Sequence, residues 1–141
     1  MIVTSALRHR TLLTYGSFDL FSQNHVRLLR DLSGMCEELI VGCATDSYCM
    51  QAAVPCAVPY AERRAMLEHC RFVSHVIPFH SVDQQHTDIV NYNVSALAMD
   101  RSWQGQLDGL RDIVRLLYLT QSDMAYLPAN QAASGMRSAI Y

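Results

Sequence analysis

The chain has 141 residues, half of them hydrophobic, with 17% charged and a formal net charge of -2. That length and apolar content suit one domain, residues 1–141, with a core of its own. The weakly acidic balance speaks against a nucleic-acid groove or an anionic membrane surface as partner. The opening "MIVTSALRHRTLLTYG" lacks a long apolar stretch and a cleavage signature, and no run approaches the roughly 18–20 apolar residues of a membrane helix. A cytoplasmic protein is expected. Its five cysteines, Cys36, Cys43, Cys49, Cys56 and Cys70, are odd in number and form no C-x-x-C. Reduced, mostly buried thiols fit them better than zinc or a disulfide framework. The six histidines show no ligand spacing such as H-E-x-x-H, so no metal residues are assigned.

The first element is Thr11–Tyr15, short and β-prone, closed by Gly16. Asn24 is a candidate cap for a helix over His25–Leu32, where Val26, Leu29 and Leu32 form an apolar stripe and Gly34 supplies a stop. "ELIVGCAT" (Glu38–Thr45) is a continuous apolar run, as in a strand buried on both faces. Pro55 and Pro59 bracket a loop. A helix then opens at Pro59, with Tyr60, Met66, Leu67 and Cys70 expected inward. "HVIPF" (His75–Phe79) reads as a third strand, "VDQQHTDIVNYN" as a polar helix, and "SALAMD" (Ser95–Asp100) as a fourth strand. Leu107, Leu110, Ile113, Val114 and Leu117 recur at helical spacing, which predicts a helix over Gly105–Thr120. "MAYLP" (Met124–Pro128) is the expected fifth strand.

Strands alternating with helices along the whole chain predict an α/β fold: a doubly wound, Rossmann-like parallel sheet of five strands. Ligands in such sheets sit beyond the carboxyl ends of the strands, at the point where strand order reverses. The residues to watch are therefore Gly16–His25, Thr45–Asp46, Phe79–Val82, Asp100–Trp103 and Ala129–Ser134.

Neither G-x-x-x-x-G-K-[ST] nor G-x-G-x-x-G occurs, so Gly16 alone reads equally as a turn residue. His25 opens a helix, where an imidazole can join the helix amides on a phosphate or simply pack against the sheet. Arg63, Arg64 and Arg71 lie on or just after one helix and suit phosphate recognition or a solvated surface. Trp103 can stack on a base or seal the core. No G-x-S-x-G and no cysteine with an evident base points to a nucleophile.

The segments "TYGSFDLFSQNH", "CATD", "YAERRAMLEHCRFVSHVIP", "AMDRSWQG" and "AYLP", in this order and spacing, resemble the cytidylyltransferase-like superfamily, in layout the bacterial glycerol-3-phosphate cytidylyltransferases. The resemblance runs from about Leu12 to the C-terminus, without a gap from Leu12 to Asp112. It implies the nucleotidylyl transferase fold and transfer of a nucleotidyl group from CTP or ATP, with Mg²⁺, to a phosphate or alcohol. It also implies a homodimer formed around "RFVSHV" (Arg71–Val76). Gly16, Phe18 and Asp19 match the family's G-[TS]-F-D turn, which Tyr15 and Ser17 flank. His25 matches the second histidine of H-x-G-H, while Ser22 replaces the first and Asn24 the glycine. Thr45 and Asp46 match its T-D. Arg63 matches the arginine of the following helix and Arg71 that of R-Y-V. Asp100–Trp103 stands for G-D-D-W, keeping only the tryptophan. "YLPANQAASGMRS" stands for Y-L-P-R-T-x-G-I-S-T-T if about eight residues are inserted before it, with Ser134 and Arg137 as its polar matches; the ungapped alternative puts "TQSDMAYL" there and matches worse. The resemblance thus implies a catalytic role for His25, Ser22 and Arg63. Nucleotide contacts would come from Tyr15, Gly16, Ser17, Phe18, Asn24, Arg71, Asp100, Trp103 and Ser134. Two loop lysines of the pattern fall near Ala52 and Val54, and the arginine after Y-L-P is Ala129. At least three charge-stabilising groups are therefore replaced, and a weakly catalytic binding module is the competing expectation.

Overall fold

The computed structural model describes residues 8–119. The apolar runs become five strands: β1 (His9–Gly16), β2 (Cys36–Ala44), β3 (His75–Phe79), β4 (Ala96–Met99) and β5 (Arg115–Tyr118). Between them lie α1 (Gln23–Ser33), α2 (Asp46–Gln51), α3 (Tyr60–Glu68) and α4 (Gln84–Asn91). All pairings are parallel, in the order β3-β2-β1-β4-β5. The order reverses beside β1, so the switch point lies between the carboxyl ends of β1 and β4. The central strand is buried on both faces, which is why Leu12 to Tyr15 read as an unbroken run rather than an alternation. Thr14, the polar member of that run, donates its Oγ1–H to the Ala98 carbonyl at 2.8 Å and so costs the core nothing.

Four expectations change. The first helix is capped by Ser22, not Asn24, and starts at Gln23. Thr45 and Asp46 open a short helix, α2, where the Thr45 Oγ1 accepts the Tyr48 amide at 3.2 Å. On α3 Leu67 is buried as expected, but the other buried residue is Arg63, whereas Met66 is half-exposed. The largest change is after β4. The expected Gly105–Thr120 helix is replaced by turns, a 3₁₀ turn at Asp108–Leu110, and β5. Gly105 sits at φ 90 and Gly109 follows four residues on, so the segment is poor in helix propensity. The outer edge of β4 takes Arg115–Tyr118 as its partner, with Ala96 to Met99 matched to them in register. Leu107 and Val114 stay buried, but as anchors of a loop. The expected strand at Met124–Pro128 lies outside the described residues, and among the described residues no α-helix lies between β4 and β5.

Gly42 on β2 is demanded by packing. A Cβ there would meet Tyr15 Cδ1 at 2.3 Å. The Tyr15 ring lies across this glycine and packs on Phe79, centroids 4.4 Å apart. Among the described residues no helix is long and apolar enough to cross a membrane.

Candidate active site

Two residues beyond the register pair Thr14↔Ala98 come Gly16 on one strand and Asp100 on the other. The parallel sheet therefore delivers the turn after β1 and the turn after β4 to the same edge. Between Gly16 and α1 the chain doubles back through Phe18 and Leu20, both at φ 51. A left-handed phenylalanine is unfavourable. Burial offsets that cost here, since the Phe18 side chain is 1% exposed and packs on His25.

His25 is the third residue of α1 and is buried. Phe21 stacks on the imidazole at 5.3 Å, and Phe18 meets it at 5.5 Å. Its Nδ1 accepts the Ser22 backbone N–H at 2.9 Å, and the Ser22 hydroxyl stands 3.4 Å from the same nitrogen. A ring nitrogen that accepts an amide N–H carries no proton, so the neutral imidazole holds its proton on Nε2. Ser22 thus positions the ring at the mouth of α1, where first-turn amides favour an anion. Asn24, on the exposed side of this turn, accepts from Arg27 Nη1 at 3.1 Å. Arg27 brings positive charge to the first turns of α1; its helical position after His25 was the only signal for it in the sequence.

Arg63 is 1% exposed. Its Nε donates to Val58 O at 2.8 Å, and its Nη1 to Ser17 O at 2.9 Å and Ala44 O at 2.7 Å. Its Nη2 reaches Asp46 Oδ1 at 2.7 Å. The guanidinium therefore ties together the carboxyl ends of β1 and β2 and the entry to α3. Asp19 does the complementary work, accepting the Ala57 and Val58 amides at 2.8 and 2.9 Å. Asp46 also accepts the Tyr60 amide at 3.0 Å; that bond first, and the Arg63 guanidinium next, hold its carboxyl below the usual carboxylate range.

The remaining expected residues divide. Gly16 closes β1, and the Ser17 carbonyl is consumed by Arg63. The Tyr15 hydroxyl donates to Asp88 Oδ2 at 2.7 Å; burial, then that bond, pushes its pKa far up, so it is a neutral anchor for α4. Asp100 is buried and accepts from the Ser102 amide at 3.3 Å and hydroxyl at 2.7 Å, shaping the 3₁₀ turn Arg101–Trp103. Trp103 is also buried, and its Nε1 has no hydrogen-bond partner among the described residues. Arg71 is not brought to this edge. It lies in the α3–β3 connection, ahead of β3 at the amino end of the sheet, exposed and over the Phe72 ring at 5.2 Å. Arg64 also turns away, to Glu68, Tyr60 and the Val76 carbonyl. Ser134 and Arg137 lie outside the described residues. Among the described residues no three metal-ligating side chains converge.

Comparison with known proteins agrees with this layout. The sequence model of the Cytidylyltransferase-like family matches residues 13–138. A glycerol-3-phosphate cytidylyltransferase of Bacillus subtilis (strain 168) is 31% identical over 114 residues, 81% of this chain and 88% of that protein. The enzyme of that name from Staphylococcus aureus (strain NCTC 8325 / PS 47) is 32% identical over 81% of this chain and 86% of its own length. In fold, the chain is similar to a lipopolysaccharide core biosynthesis protein from Thermoplasma volcanium GSS1, with a TM-score of 0.67 at 17% identity over 79% of this chain and 97% of that one. With the family model spanning most of its length and the switch-point turn carrying His25 in place, this chain belongs to the cytidylyltransferase-like family.

Proposed function

We propose that the chain transfers a nucleotidyl group from a nucleoside triphosphate to a small phosphorylated or alcohol substrate and releases pyrophosphate. CTP as donor and glycerol 3-phosphate as acceptor are favoured by the relatives' names. The observation that carries the reading is His25. It is clamped between two phenylalanines at the first turn of α1, beside the switch point, with the tautomer fixed by Ser22.

The chemistry asks little of a protein nucleophile. An acceptor oxygen attacks the α-phosphorus in line and the pyrophosphate oxygen leaves, so the site must align the two and stabilise charge on the phosphates. His25 Nε2–H and the first amides of α1 serve the phosphates. Ser22 acts through His25, as a positioning residue. Arg63, with its donors committed to the backbone, positions the Gly16–His25 turn rather than touching substrate. Arg27 and Arg101 add exposed positive charge near this edge, beside the buried Arg63. The buried Trp103 closes the β4 side, where its indole borders the base. Magnesium would be held largely by the triphosphate it arrives with, as Mg²⁺ commonly keeps few protein ligands. We further propose a homodimer through Arg71–Val76, for which sedimentation at micromolar concentration is the check; a monomer there excludes it.

A second reading, a binding module of low activity, is favoured by one fact: there is no lysine anywhere in the chain. The loop that carries lysines in the family pattern has none here, and Ser22 brings no charge. Losing one preorganised donor costs about 10²–10³ in rate, so three independent losses would reach the order of 10⁶. Calorimetry with CTP and with ATP, each with Mg²⁺, and pyrophosphate release over a panel of sugar and polyol phosphates separate the two. The transferase reading expects binding, turnover, and a fall of at least about 10²-fold in kcat for His25→Ala with the fold intact by circular dichroism. Binding without pyrophosphate release selects the module; no binding of either nucleotide at millimolar concentration excludes the transferase.

A further inference from the structure

Cys49 and Cys56 take no part in the proposed chemistry, yet their sulfurs stand 3.5 Å apart. Cys49 is in α2 and Cys56 in the loop that leads to α3. Both are free thiols. They differ in access: Cys49 is 1% exposed, whereas Cys56 lines an open cleft of about 220 Å³ with Asp46, Met50, Pro55, Ala57 and Pro59. A small oxidant therefore meets Cys56 first and finds Cys49 behind it. The next two residues after Cys56 are Ala57 and Val58, whose amides hold the Asp19 carboxylate, and the Val58 carbonyl is held by Arg63. The thiol pair is thus one residue away from the contacts that fix the turn after β1.

We propose that Cys49 and Cys56 are a modification site, a thiol pair that a peroxide converts to a disulfide, and that closing it shifts the Ala57–Val58 segment against Asp19. The steps balance. The Cys56 thiolate attacks one peroxide oxygen, the O–O bond breaks, and Cys56 becomes a sulfenic acid as hydroxide leaves and takes up a proton. The Cys49 sulfur then attacks the sulfenic sulfur, the S–O bond breaks, and water leaves with the Cys49 proton. Two sulfurs lose two electrons, the peroxide gains them, and one disulfide and two waters result. Local chemistry favours this order. The hydrogen bond with Cys49, then the Arg63 guanidinium, draws the Cys56 thiol below its ordinary value, while the same bond raises Cys49. Cys43, buried against Arg63 Nη1 at 3.5 Å, is pushed up to about 12 by burial and is the less reactive neighbour. A disulfide holds its sulfurs at about 2 Å, so the pair must close by about 1.5 Å. α2 is pinned at its start, by Thr45 capping Tyr48 and by the Cys49 amide on the Thr45 carbonyl. The Pro55–Pro59 loop is the side left to move.

The inference stands independently of the proposed reaction, and its test needs no substrate. The reduced full-length chain is treated with hydrogen peroxide and read by peptide mapping and by amide hydrogen exchange. The expected result is a Cys49–Cys56 linkage that dithiothreitol reverses, with faster exchange at Ala57 and Val58 in the oxidised form. Cys49→Ser should leave a Cys56 sulfenic acid that dimedone traps, and Cys56→Ser should leave the Cys49 thiol unreacted. Linkage of Cys56 to another cysteine or to a second chain, or both thiols surviving peroxide that oxidises Cys70, would overturn the pair. A Cys49–Cys56 disulfide with exchange at Ala57 and Val58 unchanged or slower would overturn its coupling to Asp19.

Discussion

Replacing Arg63 by methionine keeps most of the side-chain volume and removes every donor. Four of the five guanidinium N–H groups are engaged at 2.7–2.9 Å, three with carbonyls and one with Asp46. A hydrogen bond from a charged donor is worth about 1.5–3 kcal/mol, so the gross loss is roughly 6–12 kcal/mol. Against this, methionine no longer has to be stripped of a cation's hydration, which returns several kcal/mol. What remains are three carbonyls at strand and helix ends without their donor. A net destabilisation of about 3–5 kcal/mol is expected, lowering Tm by about 10 °C in a chain of this size. Urea unfolding followed by circular dichroism measures it, as a lower Cm at unchanged slope. Arg63→Lys should recover only a minor part, because one ammonium cannot span acceptors on three segments. The control is Arg64→Met, which removes the i,i+4 pair with Glu68 and the bonds to the Tyr60 hydroxyl and Val76 carbonyl, all on partly exposed groups, and should cost less, about 1–2 kcal/mol. If Arg63→Met costs no more than Arg64→Met, the view of Arg63 as the tie between β1, β2 and α3 is wrong.

Gly42→Ala forces its new methyl against the Tyr15 ring, which cannot retreat while bound to Asp88 and packed on Phe79; a loss of about 1–3 kcal/mol in thermal or urea unfolding is expected. Tyr15→Phe should cost about 1–3 kcal/mol by the same measurement, since among the described residues the Asp88 carboxylate would keep the Gln84 amide at 2.8 Å as its one partner. Asp46 has a depressed folded-state carboxyl, so the stability it contributes is complete above the unfolded value near pH 4 and is lost as pH falls through the lower folded value. Asp46→Asn should therefore flatten the acid limb of a stability–pH curve, and an unchanged limb would show that Asp46 takes no part in it. Asp19→Ala frees the Ala57 and Val58 amides and should weaken nucleotide binding, read by calorimetry, more than it lowers Tm; equal binding in the two chains would detach this loop from the site.

The limits of sequence reading follow from particular residues. "ELIVGCAT" and "HVIPF" were legible because strands buried on both faces need unbroken apolar runs. The Leu107–Leu117 pattern misled because a loop anchored by Leu107 and Val114 buries apolar residues at spacings that mimic a helix, and only the open edge of β4 decides that Arg115–Tyr118 is a strand. Arg63 looked like a phosphate ligand by residue type. Its burial, and the three carbonyls that converge on it from distant segments, have no signature in linear order. Gly42 gave no signal because its partner, Tyr15, is on the neighbouring strand.

By itself the sequence determined the alternation that makes a parallel sheet, and the order of segments that carries the family. It also shows a chain with no lysine, whose resemblance to the family implies that His25 stands alone in a motif of two histidines. Local patterning and residue identity suffice for these. The tertiary structure decided which of the marked residues share a place. It put Gly16 level with Asp100, turned Ser22 into the partner that fixes the His25 tautomer, committed Arg63 to the backbone, and left Arg71 at the opposite end of the sheet. Those outcomes depend on strand order and register, which arise from contacts between residues tens of positions apart and so are invisible in any local window.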